Sequence, residues 1–191
     1  MRLFVALEIP PAIRTNFAAL MTDLRALDTE SSAKKPSWTR PENLHVTLKF
    51  IGNVAPDKFD GIRAALAGVR SERSVELHFG GLGFFPDSKR PRVVWVGIAA
   101  SQNLGVMAAD IDRGMAGFGV PNQQRAFTPH LTLARCQHGA ISSRLRTTIQ
   151  KDAARDFGEF HTNEFHLIES KLKSSGAEYT TLQSFVFAAE D

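Results

Sequence analysis

One short phrase occurs twice in this chain. HVTLKF begins at His45 and HLTLAR at His130, 85 positions on, in a sequence with six histidines. In each phrase, apolar residues at the second and fourth positions alternate with His and Thr at the first and third. A period of two marks a strand with one packed face and one open face. Val46 and Leu48, like Leu131 and Leu133, then point into a core. His45 and Thr47, like His130 and Thr132, share the opposite face. The fold must supply two strands, each showing an imidazole beside a hydroxyl on its open side. Pro41 lies four residues before His45. Pro129 lies directly before His130 and biases Thr128 towards an extended shape.

The rest of the chain gives these strands a setting. Residues 2–8 read as a strand. Pro10-Pro11 opens a helix carrying Ile13, Phe17, Leu20, Leu24 and Leu27 at helical spacing. Polar residues 28–37 read as an exposed loop. Pro56-Asp57 starts a second helix with Phe59, Ile62, Leu66 and Val69 on one face. Residues 74–84 form a strand, FPDSKRP a turn, and RVVWVGI a strand apolar on both faces. Leu104, Ala108, Ile111, Met115 and Phe118 mark a third helix. The loop GFGVPNQQRAF leads to His130. Ile141, Leu145 and Ile149 mark a shorter helix, and strands near 164–169 and 178–187, joined through SSG, close the chain. Several strands are joined by short turns. That favours antiparallel pairing and an α+β fold over a doubly wound parallel sheet.

Composition narrows the function classes. The chain has 191 residues, 43% of them hydrophobic and 23% charged, enough to bury a core. No apolar run approaches the ~20 residues a membrane-crossing helix needs. MRLFVALEIP is interrupted by Glu8 and reads as a first strand rather than a leader. The single cysteine, Cys136, permits no internal disulfide and suits a reducing compartment, so a cytoplasmic protein is expected. It reads as a buried, inert thiol. Net charge is +3. Clusters at Lys34, Lys35 and Arg40, and at Lys89, Arg90 and Arg92, suit an acidic ligand such as a nucleic acid, although solvated surface explains them as well.

Two histidines on open strand faces suit acid–base chemistry. Imidazole titrates near ~6.5, so a neutral ring can take a proton from an attacking group while a protonated one supplies the leaving group. Two threonines between them can donate to charged oxygens. An in-line displacement at phosphorus needs that layout and requires no metal. Arg135 is a candidate cation, but its odd offset from His130 puts it on the core face unless the strand ends or bulges. Arg40 and Arg125, each five residues before a histidine of the pair, are further candidate cations. His78, His138, His161 and His166 show no ligand spacing familiar for zinc and read as non-catalytic. HFGGLGFF lacks the phosphate-loop spacing, and no G-x-S-x-G elbow is present.

Longer stretches around the two phrases resemble a known family. They are RLFVALEIP, then W-x-x-P-E-N-L-H-V-T-L-K-F-I-G from Trp38 to Gly52, GLGFFP before PRVVWVGI, R-A-F-T-P-H-L-T-L-A-R from Arg125 to Arg135, and S-K-L-K-S-S-G-A-E-Y from Ser170 to Tyr179. Together they resemble the RNA 2′,3′-cyclic phosphodiesterases, also called 2′-5′ RNA ligases, of the two-histidine phosphoesterase superfamily. The resemblance implies one bilobal α+β domain over residues 1–191. Two pseudo-symmetric lobes of antiparallel sheet and flanking helices would each bring one H-x-T-L strand to a central cleft. It implies metal-independent hydrolysis of RNA 2′,3′-cyclic phosphate ends to 2′-phosphates, with no cofactor. Some members also act on 2′-5′ linkages in transfer-RNA halves. By the same resemblance His45 is the proton donor, His130 the proton acceptor, and Thr47, Thr132 and Arg135 bind phosphate.

Two other readings compete. A two-lobed cleft could hold RNA ends or a nucleotide without turning them over, although a pure binder needs no donor–acceptor pair. The same chemistry could serve a small cyclic nucleotide. Phe50, Phe84 and Trp38 are candidate base-stacking residues. A monomer is expected, because a bilobal chain completes its own site.

Overall fold

The computed structural model describes residues 1–28, 35–136, 141–174 and 176–188. Lys34, Ser175 and His138 lie outside them. Strands and helices mix along the chain: β1 (Arg2–Glu8), α1 (Pro11–Ala26), β2 (Ser37–Trp38), β3 (His45–Asn53), α2 (Phe59–Ala67), β4 (Val75–Phe85), β5 (Val93–Ala100), α3 (Gln102–Ala116), β6 (His130–Arg135), α4 (Ser143–Lys151), β7 (Asp156–Thr162), β8 (Glu164–Lys173) and β9 (Gly176–Val186). The strands pair antiparallel in one curled sheet of order β7-β4-β5-β6-β3-β1-β8-β9, with short β2 beside β6. This is the α+β architecture expected. One wing holds β3 with β1, β8 and β9, and the other holds β6 with β5, β4 and β7. They meet at the seam between β3 and β6, where Val46 faces Leu131.

Local chemistry explains the helices. Pro11 starts α1, where its missing N–H costs nothing, and Phe17, Leu20, Met21 and Leu24 bury one face. The fourth helix begins two residues after Ile141, because Ser142 caps it. The Ser142 hydroxyl accepts from the Leu145 N–H at 3.1 Å and donates to the Leu27 carbonyl at 3.0 Å. Its own N–H donates to Asp28 at 2.8 Å, so the end of α1 and the start of α4 are tied.

All four helices cover the same sheet face. Phe17, Ile62, Ile111 and Leu145 join Val5, Val46, Phe79, Val96 and Leu131 in one apolar core. The other face carries a small separate cluster of Phe4, Ala6 and Ile168, with Tyr179 against it. Cys136 is buried, and burial raises its thiol to about 11, which keeps it protonated and inert. No helix among the described residues is long and apolar enough to cross a membrane.

Both H-x-T-L strands break their alternation at the same place. In β3, Val5 pairs with Lys49 and Ala6 with Thr47, leaving Leu48 as an extra residue. In β6, Val94 pairs with Ala134 and Trp95 with Thr132, leaving Leu133 extra. Burial follows: Leu48 and Lys49 are both buried, and so are Leu133 and Ala134. Each bulge reverses the parity of the residues after it.

The β3 bulge sends Lys49 into the core side, where it is 2% exposed. Its ammonium donates to Asp112 of α3 and to the Pro121 carbonyl at 2.7 Å. Asp112 also accepts the Gln123 N–H at 3.1 Å. Burial works to raise the Asp112 pKa, but these bonds outweigh it and hold the carboxyl below its ordinary value. Removing one partner of a buried pair leaves the other uncompensated. Lys49→Ala is expected to lose about 3 kcal/mol of stability, measured by urea unfolding. A loss within experimental error would show that Asp112 is satisfied without it.

Candidate active site

The two imidazoles are held alike. His45 Nδ1 lies 2.7 Å from the Asn43 carbonyl oxygen, and His130 Nδ1 lies 2.8 Å from that of Thr128. Each contact reaches back two residues to an oxygen that can only accept. Nδ1 must therefore carry hydrogen, which leaves Nε2 of each neutral ring with its lone pair available. An aromatic ring supports each histidine on the open sheet face. Phe4 lies 4.8 Å from His45, with Tyr179 edge-on at 5.3 Å. Phe85 lies 5.0 Å from His130 and itself leans on Trp95. Gly83 leaves room for that indole, since a Cβ there would come within 2.3 Å of the ring.

The remaining candidates gather around this pair. Thr47 and Thr132 are half-buried on the same face as the histidines. The Leu133 bulge turns Arg135 to that face too, which resolves the conflict between its offset and a phosphate-binding role. The bulge is braced by the residue that follows β2: the Thr39 N–H donates to the Leu133 carbonyl at 2.8 Å, and its hydroxyl to the Thr132 carbonyl at 2.9 Å. Arg135 and His130 both lie near enough for their charge to act on His45.

His45 has a distinct electrostatic state. Burial is the main cause lowering it from 6.5 to about 4. The Asn43 carbonyl and Glu8 oppose that shift, while Arg135 and His130 add to it. The free protein thus holds His45 neutral at neutral pH.

Other candidates separate from the pair. Phe50 occupies in β3 the position that Arg135 occupies in β6, five residues past the histidine and beyond the bulge, and it is 55% exposed. Phe84 belongs to the core, and Trp38 is half-buried against it. Arg40 flanks β2 and Arg125 lies exposed in the loop before β6. His166 is buried and contacts Ser184 at 3.0 Å. His78 sits between Asp156 and Glu159. His161 groups with Glu76 and Glu159, ligand atoms within 4.8 Å of one another, on the exposed β4–β7 edge away from the pair. Cross-strand pairing makes that group, so spacing along the chain does not reveal it. Phe4, Phe85, Trp95 and Tyr179 also escape sequence reasoning, because an all-apolar strand such as FVAL does not declare which face its residues take.

A family model described as the 2′-5′ RNA ligase superfamily matches residues 10–173. The chain belongs to this superfamily. It is 33% identical over 152 residues to the RNA 2′,3′-cyclic phosphodiesterase of Aquifex aeolicus, covering 78% of this chain and 80% of that one. It is 30% identical over 185 residues to the enzyme of the same name from Methanocaldococcus jannaschii, covering 97% and 100%. Its fold is similar to that of E. coli LigT complexed with 3′-AMP, with a TM-score of 0.76, 26% identity and 97% of both chains covered.

For this member of the 2′-5′ RNA ligase superfamily, the desolvation of the half-buried His45 has a consequence for folding. An unfolded histidine takes its proton as pH falls through 6.5, whereas the folded one refuses it until about 4. The unfolded state binds more protons in that window, so stability from this group falls as pH drops from 6.5 towards 4. His45→Gln is expected to flatten that decline, read as urea midpoints at pH 7 and pH 4.5. Parallel pH dependences for the two proteins would show that burial does not govern this ring.

Proposed function

We propose that this superfamily member is a phosphodiesterase that hydrolyses the 2′,3′-cyclic phosphate at an RNA 3′ end to a 2′-phosphate. It does so without a metal ion or cofactor, with His45 as proton donor and His130 as proton acceptor. The observation that carries this reading is the matched tethering of the two rings. With both Nδ1 atoms engaged, two Nε2 atoms are free beside Thr47, Thr132 and Arg135. The names of the Aquifex and Methanocaldococcus relatives support the substrate, and 3′-AMP on E. coli LigT supports a nucleotide in the cleft.

The steps follow from the residues. His130 Nε2 takes a proton from water as its oxygen bonds to phosphorus. The bond from phosphorus to O3′ breaks, and His45 returns a proton to O3′. The product carries a 2′-phosphate and a 3′-hydroxyl. Hydroxyls of Thr47 and Thr132 and the guanidinium of Arg135 meet the non-bridging oxygens as charge builds there. A neutral His45 cannot donate from Nε2, so the substrate must help to charge it. A phosphodiester anion beside the ring favours the imidazolium. A 5′-hydroxyl replacing the water would give a 2′-5′ linkage, as in the joining of transfer-RNA halves. Phe50, exposed on the same face, offers a ring for the terminal base. Residues 1–191 act as one bilobal monomeric unit in the cytoplasm.

A short RNA ending in a 2′,3′-cyclic phosphate, incubated in excess chelator, tests the reaction. The expected product resists a phosphatase specific for 3′-phosphates. His45→Ala and His130→Ala should each lower kcat by ~10² to 10⁴ while the fold survives. Full activity in both variants would refute the two-histidine mechanism.

The pH profile tests how His45 becomes charged. The acid limb of kcat/KM reports the free protein and is expected near pH 4. The acid limb of kcat reports the bound state and should lie at higher pH, because the substrate anion raises the pair. The two limbs belong to the coupled pair rather than to single rings. Coincident limbs would mean that the bound phosphate does not retune His45.

A further inference from the structure

The outer edge of the sheet gathers ligand groups that the histidine pair does not use. Glu76 of β4 faces His161 of β7, and His78 faces Glu159. Leu77, Phe79 and Phe160 alternate with them and pack towards the core, so the two glutamates and two histidines share the open face. Cross-strand neighbours on one face have Cβ atoms ~5 Å apart, within reach of a common ion. Beneath them the rings of Phe79 and Phe160 stack at 5.8 Å, which holds the two strands in register.

Three of these side chains converge. Ligand atoms of Glu76, Glu159 and His161 all lie within 4.8 Å of one another. Ligands ~2.1 Å from a shared ion stand ~3.4 Å apart in a tetrahedral site. Small rotations of these exposed side chains therefore close the set. His78 supports it from the side, with Nδ1 3.5 Å from Glu159 and Nε2 3.5 Å from Asp156. An outer group of this kind orients the ligand it touches.

The charge here is one-sided. Glu76, Asp156 and Glu159 bring three carboxylates, and among the described residues no lysine or arginine forms an ion pair with any of them. That is a local excess of negative charge on a chain whose net charge is +3. Carboxylates alone would suit calcium or magnesium equally well. The imidazole changes the class, because nitrogen beside carboxylate oxygen suits zinc, cobalt or nickel.

We propose that Glu76, Glu159 and His161 hold a divalent transition-metal ion of the zinc class, with water completing its coordination. The ion ties β7 to β4. β7 is mostly exposed and pairs with a strand on one side only, so the link supplies what packing does not. β4 and β5 lie between β7 and the strand of His130. The ion is therefore structural and takes no part in the reaction proposed above, and the two proposals stand or fall separately.

The test titrates the untagged chain, stripped with chelator and dialysed, with zinc by calorimetry. One equivalent should bind, and hydrogen exchange of the β7 amides should slow. His161→Ala and Glu76→Gln should each weaken binding by at least the roughly tenfold that loss of an outer group costs. Both side chains are exposed, so both variants should fold. The histidine pair is a second place where zinc can settle. A His45→Ala/His130→Ala protein is therefore titrated alongside and should keep the zinc equivalent. No binding, an affinity unchanged by both His161→Ala and Glu76→Gln, or loss of the equivalent in the His45→Ala/His130→Ala protein would overturn the assignment. Equal affinity for magnesium would overturn the imidazole as a ligand.

Discussion

Two extra residues, Leu48 and Leu133, set the geometry on which the rest of this molecule depends. Each sits third after a histidine, and each puts itself and the residue after it on the packed side of its strand. Without them, strict alternation would bury Arg135 and Phe50. It would also expose Lys49 on the open face. With them, one strand presents imidazole, hydroxyl and guanidinium on its open side, and the other presents imidazole, hydroxyl and phenyl. The closing leucine of each phrase marks where the strand changes parity, so it does more than fill the core.

The two halves are alike in backbone and unlike in environment. Both rings are fixed through Nδ1 to a carbonyl two residues back, so both offer Nε2. Yet His45 lies against Phe4 and Tyr179, and desolvation keeps it uncharged in the free protein. A pair built by repetition thus acquires an asymmetry from the side chains around it. Sequence symmetry alone does not assign which ring gives a proton and which takes one. Local dielectric and the arriving anion bear on it directly.

Much of this was legible in the residues. Period-two patterning marks β3 and β6, and helical spacing marks α1, α2 and α3. The faces of His45, Thr47, His130 and Thr132 follow from alternation alone. Three things were not legible, each for a physical reason. A bulge is invisible in a string, because an inserted residue carries no distinctive composition; only the conflict over Arg135 hinted at one. β7 was missed because DFGEFHT is an edge strand with most positions in water, so no apolar alternation marks it. The aromatic supports Phe4 and Phe85 come from other strands, and only sheet order brings them to the histidines. Phe84, nominated as a stacking residue, faces the core while its neighbour Phe85 faces His130.

The link from Lys49 to Asp112, Pro121 and Gln123 bears on how this protein can vary. It anchors the loop before β6 to the strand that carries the other histidine. Residues 117–120 lie on one side of that anchor, and only 124–129 lie between it and His130. Ahead of it, the N–H groups of Phe118, Gly119 and Val120 bond back to the end of α3 and Phe118 and Val120 pack on the core, so a length change there disturbs the helix end. After it, residues 124–126 are exposed, and a length change there can be taken up in solvent. The loop is therefore two segments with different tolerance to insertion, and the boundary between them is a buried ammonium on another strand.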